Sequence, residues 1–305
     1  CDLSHYGVME VTGEEAAKFL QGQFTNDVQS LADGQAQWNG WCSPKGRLLA
    51  TFLLWRDKDD YFLLLPRSLQ PAIQKRLAMF VLRSKVKMSD VSTTWQRFGI
   101  VGTNGSAAIS AHFDSLPDYN LSSIAHKSCR VIRLSASRYI VIAEADVAVS
   151  LWLAAALELP EAPASHWDLL NIREGIIEVA PETQDAFVPQ MANFELIGGV
   201  NFRKGCYTGQ EIVARTQYRG ILKRRMVRVS FAADQAPPSG TAIYSPKFPD
   251  QACGAIALAA STPDNDGRVE ALVIAQIESI ASRSLFLDDA YSKPLDVLDL
   301  PYVVS

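Results

Sequence analysis

The chain has 305 residues, 48% of them hydrophobic and 20% charged, with 18 Gly and 15 Pro; these proportions exclude collagen-like, low-complexity and wholly disordered chains and suit two or three domains. Lys and Arg total 29 against 33 Asp and Glu, a formal net charge of −4, so nucleic acid could be met only through a local basic patch. The five Cys (1, 42, 129, 206 and 253) are widely spaced and include no C-x-x-C, which argues against a zinc knuckle, a Cys-held Fe–S cluster or a disulfide scaffold and for a reducing, cytoplasmic setting.

In chain order, alternation over 6–11 predicts a first strand. Thr12 is placed to cap a short helix with Glu14 and Glu15 in its first turn and Ala16, Phe19 and Leu20 on its inner face. Strands over 35–42 and 47–55 flank the hairpin signal Ser43-Pro44-Lys45-Gly46, and a third strand follows at 61–65. Ile73, Leu77, Phe80 and Val81 form a stripe that predicts a helix over 69–82 with those four facing inward. Further on, strands are expected at 98–102, 129–134 and 139–143, and helices at 106–113, 146–159 and 166–174. Hairpins are as frequent as crossovers, which points to α+β antiparallel units. From 226 the pattern changes to short strands (226–232, 241–244, 255–260, 269–277) with no helix between them. Turns at 237–240 and 263–267 separate them, and the tail 226–305 reads as a small β-barrel. No run of about 18 apolar residues occurs, so no transmembrane helix is expected.

Several site motifs are missing: no P-loop, no G-x-G-x-x-G, no H-E-x-x-H and no G-x-S-x-G. The four His (5, 112, 126, 166) are scattered and read as surface or capping residues, so no metal site is expected. The informative stretch is Lys204-Gly205-Cys206-Tyr207-Thr208-Gly209-Gln210-Glu211. Thr208 and Glu211 have capping-box spacing, which predicts a helix from about Gly209 through Arg215. Cys206 would then lie just before a helix N-terminus, beside Arg203 and Lys204, where dipole and cations favour thiolate. Physics alone leaves two readings open, an activated thiol and a capped helix with an incidental Cys. Arg215, Arg219, Lys223, Arg224, Arg225 and Arg228 follow with no acid among them. They form either a solvated basic face or a contact for an anionic ligand or partner.

The octapeptide K-G-C-Y-T-G-Q-E, continued by Ala214, Arg215, Arg219, Gly220 and Lys223-Arg224, resembles the signature of the YgfZ family of folate-binding proteins. These are related to the T-protein (aminomethyltransferase) of the glycine cleavage system. Leu20-Gln21-Gly22-Gln23-Phe24-Thr25-Asn26-Asp27-Val28, Pro44-Lys45-Gly46-Arg47 and Phe187-Val188-Pro189-Gln190 resemble the same superfamily. The resemblance implies a ring around a central folate pocket. Residues 1–225 would be a T-protein-like folate-binding region of two interwoven ferredoxin-like α+β subdomains, and 226–305 the barrel. It implies a reactive thiol at Cys206 and cofactor contacts from Tyr6, Trp167, Glu174, Tyr207 and Arg215. Tyr6 replaces the Trp expected at its position, while Trp38 and Trp41 read as core or rim residues.

Two departures matter. The run Gly46-Arg47-Leu48-Leu49-Ala50-Thr51 holds no carboxylate where T-protein has its catalytic Asp, so conventional turnover is not implied. In Asn171-Ile172-Arg173-Glu174-Gly175 the acid lies one place later than in the family pattern, about 100° round a helix. The implied role is an accessory protein that binds tetrahydrofolate or another folate. It would maintain Fe–S enzymes with their assembly proteins, and through them tRNA modification. The alternatives are a tetrahydrofolate-dependent one-carbon transferase using Asp27 or Glu174, and a tRNA-binding module acting through Arg215, Arg219, Lys223, Arg224 and Arg225.

Overall fold

The computed structural model describes residues 1–110, 112–126, 128–263 and 267–304. The chain packs as two compact units. The first comprises Cys1–Gly22, Asp27–Asn39 and Phe52–Ala164; the second comprises Gln23–Asn26, Gly40–Thr51 and Ser165–Ser305.

The amino-terminal elements are β1 (Tyr6–Thr12), α1 (Ala16–Gln21), β2 (Ala36–Cys42), β3 (Leu48–Asp57), β4 (Asp60–Pro66), α2 (Gln70–Ala78) and β5 (Lys87–Asp90). Their strands form one sheet in the order β2-β3-β4-β1-β5. Leu48 through Trp55 in β3 are all buried, and a strand covered on both faces reads as a continuous apolar run. Thr12 does not cap α1. It is the last residue of β1, and the helix starts at Ala16 with no side-chain cap bond.

The expected helix over 69–82 stops at Ala78. Beyond it three amides reach back only three residues: Met79 to Arg76 O (3.3 Å), Phe80 to Leu77 O (2.9 Å) and Val81 to Ala78 O (3.2 Å). Leu82 then turns left-handed at φ 47°. The tightened turn returns the chain to Lys85, whose amide donates to Glu15 Oε2 (2.8 Å). Ile73 and Leu77 face the core as expected, whereas Phe80 is exposed and Val81 only partly covered.

The first unit continues with β6 (Trp95–Val101), α3 (Gly105–Ser110), β7 (Ser123–His126), β8 (Cys129–Ser135), β9 (Arg138–Glu144) and α4 (Ala145–Glu158). The sheet order is β6-β9-β8-β7, and α3 and α4 cover a core that includes Phe98, Ile109, Val131, Val141 and Leu151. Buried Arg97 is satisfied by the carbonyls of Leu3, Ser4, Ser92 and Trp95, which fastens the amino-terminal segment to β6.

In the second unit α5 (Ala164–Glu174) is followed by 3-10 turns at Pro181–Thr183 and Pro189–Ala192. Then come α6 (Gln210–Arg219), β10 (Arg224–Ala232), β11 (Ala242–Ile243), β12 (Gly254–Ser261), β13 (Arg268–Gln276), α7 (Ile277–Ala281) and β14 (Asp296–Leu298). The tail is the antiparallel β region expected, with its strands in the order β11-β12-β13-β10-β14. Its edge strands are two and three residues long, and residues 285–287 bond the continuations of both: Phe286 exchanges backbone bonds with Tyr244, the Leu287 amide donates to Lys293 O and the Leu295 amide to Leu285 O. The five-residue α7 was missed because so short a helix shows no period. Of the turn expected at 263–267, Asp264, Asn265 and Asp266 lie outside the described residues, as does Ala111 in the helix expected at 106–113.

Candidate functional site

Cys206 sits on an exposed loop, while Cys42, Cys129 and Cys253 are buried and Cys1 is partly covered. Burial pushes the Cys129 thiol up to about 12 and the Cys42 thiol higher still. Burial raises Cys253 as well. Accessibility therefore singles out Cys206 as the thiol open to solvent chemistry.

The loop around it is fixed at three points within the second unit. Lys204 is buried and donates its ammonium to the carbonyls of Phe24 (2.6 Å) and Asn26 (3.0 Å). The same ammonium lies 5.1 Å from the Tyr207 ring centroid, within cation–π range. Tyr207 is buried, and its phenol is pushed up first by that burial and then by nearby Cys42. Gly209 is left-handed at φ 83°; a Cβ there would lie 2.4 Å from Ser43 O and 2.9 Å from the Cα of Gly46. The loop thus lies against the hairpin turn 43–46, closer than any side chain at 209 would allow.

This contact changes the expected helix start. Gly209, not Thr208, is the N-cap of α6, and no side-chain cap bond is made. A capping box needs an extended N-cap residue; the left-handed glycine moves the start by one residue and leaves Glu211 exposed on the first turn. The Lys204 charge is likewise spent on backbone carbonyls rather than held out in solvent.

The far side of the hairpin reveals a carboxylate that sequence reasoning missed. Asp185 Oδ1 accepts from Ser43 Oγ at 2.6 Å, and its amide bonds Leu48 O. Arg47 donates to the carbonyls of Asp185 (3.2 Å) and Ala186 (3.0 Å). Asp185 is left-handed at φ 56°, a conformation Asp tolerates better than most residues. Its one sequence signal was an acid just before Phe187-Val188-Pro189-Gln190. Thr51, at the end of the run without a carboxylate, instead pins its strand: its hydroxyl bonds Ile177 O and the Val179 amide.

Trp167 and Glu174 lie seven residues apart on α5, hence on one side of it. Trp167 is among the most deeply buried side chains and Glu174 is half-buried. Arg173, where the family pattern has its glutamate, donates to Glu270 Oε1 (3.1 and 2.7 Å), and Arg228 pairs with Glu270 Oε2 (2.8 Å). Burial alone would raise the Glu270 carboxyl, but the two arginines outweigh it and hold it below its ordinary value. Tyr6 belongs to the first unit, where it is buried at the start of β1 against His5. Trp41 is a core residue and Trp38 is partly covered.

The basic run does not form one face. Arg225 is buried and paired with Glu195, and Arg228 is engaged with Glu270. Arg215, Arg219 and Lys223 remain exposed, and Arg224 is partly covered. Alternation along β10 turns part of the run inward, which removes Arg225 from any anion contact. No group of three or more His, Cys, Asp or Glu among the described residues could hold a metal ion, and no helix is long and apolar enough to cross a membrane.

Antiparallel α+β units, a β-rich tail and a thiol loop resting on a hairpin define a T-protein-like fold. The crystal structure of glycine cleavage system aminomethyltransferase T from Bartonella henselae superposes with a TM-score of 0.80 at 16% identity, covering 99% of this chain and 85% of that one. The GCVT N-terminal domain family matches residues 1–144. Among curated relatives, the tRNA-modifying protein YgfZ of Colwellia psychrerythraea is 33% identical over 236 residues, covering 77% of this chain and 72% of that protein. That of Vibrio vulnificus is 30% identical over 272 residues, covering 89% and 82%. The chain belongs to the YgfZ family.

Proposed function

We propose that this protein is a folate-binding accessory factor that supports Fe–S enzymes and, through them, tRNA modification, with Cys206 as its working thiol. The observation that carries the reading is the loop 203–210: the family's octapeptide is held rigidly by Lys204 and Gly209 and leaves its thiol in solvent. Tetrahydrofolate or another folate is the ligand. Within the second unit Trp167 and Tyr207 supply aromatic faces, Glu174 a carboxylate, and Arg215 a cation for the anionic tail. Residues 1–225 form the folate-binding region and 226–305 its β-rich domain. Fe–S enzymes or their assembly proteins are the partners, in the cytoplasm.

Titration with tetrahydrofolate, read by Trp fluorescence, tests the ligand. Quenching is expected, and Trp167→Ala weakens binding by ~1–3 kcal/mol, the scale of one aromatic platform. Unchanged affinity in that variant removes Trp167 from the site. Cys206→Ser keeps folate binding and loses the support of Fe–S enzymes, because a hydroxyl cannot share thiolate chemistry.

A second reading, one-carbon transfer to tetrahydrofolate, is favoured by Asp185, which brings a half-buried carboxylate to the hairpin that β3 itself leaves without one. Turnover of an aminomethyl donor that disappears in Asp185→Asn would establish this reading, and no turnover would end it. For tRNA, the exposed Arg215, Arg219 and Lys223 predict weak, steeply salt-dependent binding.

A further inference from the structure

The first unit carries a second prebuilt loop that the folate and thiol reading leaves unused. Residues 79–86 follow α2 and expose Leu82 (88%), Met79 (64%) and Phe80 (43%). These three are not the fringe of a loose segment. Consecutive backbone bonds link Met79, Phe80, Val81, Ser84 and Val86 to residues two or three places before them. The loop's base is clamped to the α1 entry, where the Lys85 amide meets Glu15 Oε2 and Lys85 Nζ lies 2.7 Å from Glu14 Oε2. Gly13, at φ 118°, lets Lys85 O approach so closely that a Cβ would sit 2.1 Å from it. Leu82 is held left-handed at φ 47°, costly for a bulky residue, at the most exposed point of the loop. Nothing in its burial repays that strain.

The charges carried by the segment itself have one sign. Lys75, Arg76, Arg83, Lys85 and Lys87 are all exposed, and residues 70–89 contain no acid, in a chain whose net charge is −4. An apolar tip on a segment whose own charges are all positive matches a protein surface with an apolar pocket rimmed by carboxylates: the anchor supplies affinity and the cations supply steering. A flat anionic lipid surface fits less well. Glu14 and Glu15 stand at the loop's base, Glu14 already answers Lys85, and an open concavity lined by Glu15, Leu82, Arg83 and Ser84 flanks the tip.

We propose that the loop 79–86 is a docking knob for an acidic protein partner, with Leu82 as its anchor and Lys75, Arg76 and Arg83 as its electrostatic guides. The proposal is independent of the folate and thiol reading.

The test places a photo-crosslinking benzoylphenylalanine at position 82 of the full chain in cells, with a control at Leu157 on α4, which is 86% exposed. The protein captured at 82 and not at 157 is identified, purified and titrated. Leu82→Asp is expected to weaken its binding at least tenfold. The triple variant Lys75→Glu, Arg76→Glu, Arg83→Glu is expected to flatten its salt dependence. Both variants should keep wild-type melting temperature, tetrahydrofolate binding and Cys206 alkylation, so the knob can fail without the site failing. Three results would overturn the proposal: no capture specific to position 82, an affinity indifferent to Leu82→Asp, or Leu82-dependent sedimentation with phosphatidylglycerol vesicles in place of a protein partner.

Discussion

The loops 79–86 and 203–210 are built on one device and present opposite chemistry. Each is drawn against a neighbouring backbone through a glycine at positive φ, Gly13 at Lys85 O and Gly209 at Ser43 O. Each carries a lysine with a defined partner. In the second unit Lys204 is buried on two carbonyls and its loop leaves a thiol outside. In the first unit Lys85 pairs with Glu14 in solvent and its loop leaves leucine, methionine and phenylalanine outside. The glycine clamps set how firmly a loop is held, and the residues between them decide what it offers.

The largest effects come from breaking the clamps. Gly13→Ala and Gly209→Ala each put a Cβ within 2.4 Å of a carbonyl oxygen at positive φ, and each is expected to cost about 3 kcal/mol or more in denaturant unfolding. Only Gly209→Ala should alter the alkylation rate of Cys206; an equal change in Gly13→Ala would show that the two loops are not separate devices.

Next come the lysines. Lys204→Met takes the ammonium from one buried and one partly buried carbonyl and should destabilise by about 2 kcal/mol. Lys85→Met breaks an ion pair that is about three-quarters exposed and should change stability by no more than ~0.5 kcal/mol. Equal losses would mean that burial is not what separates the two.

Alkylation at pH 7 followed by mass-spectrometric mapping sharpens the contrast in accessibility. Cys206 should label first, and Cys42, Cys129 and Cys253 only on unfolding, because burial holds those thiols protonated and covered. If Cys206 labels last, it is a packing residue.

The smallest effect is a pH slope. The folded Glu270 carboxyl lies below its unfolded value, so its contribution is full above the ordinary carboxylate range and fades as pH falls through that range towards the folded value. Stability measured from pH 6 down to 3 should fall less steeply in Glu270→Gln than in the wild type, and parallel curves would remove the Arg173–Glu270–Arg228 group from the acid response.

Much of this was legible in the residues. Alternation placed β1, while strand-length apolar runs beside turn signals placed β3 and β4, and β8 and β9 read as a pair of short apolar strands. The octapeptide placed the thiol loop, and its likeness to a known family carried the fold. Local pattern failed where a distant contact overrode it. Thr208 and Glu211 satisfy a spacing rule, but Gly209 is bent by a hairpin more than 160 residues earlier in the chain, and the box does not form. Phe80 and Val81 continue a helical stripe, but the return to Glu15 ends the helix first. Arg225 looks like one member of a basic run until β10 turns it towards Glu195.

Neighbour patterns alone settled the α+β class, the β-rich tail and the place of the motif that carries Cys206, because periodicity, turn residues and a contiguous motif are properties of neighbours along the chain. Only the tertiary structure decided that Lys204 anchors the loop rather than charging its surface, that Asp185 reaches the hairpin, that Arg173 pairs with Glu270, and that Leu82 stands in solvent. Each of these depends on backbone carbonyls, carboxylates or glycine contacts contributed by residues far away in the chain, and no spacing rule encodes which distant group will arrive.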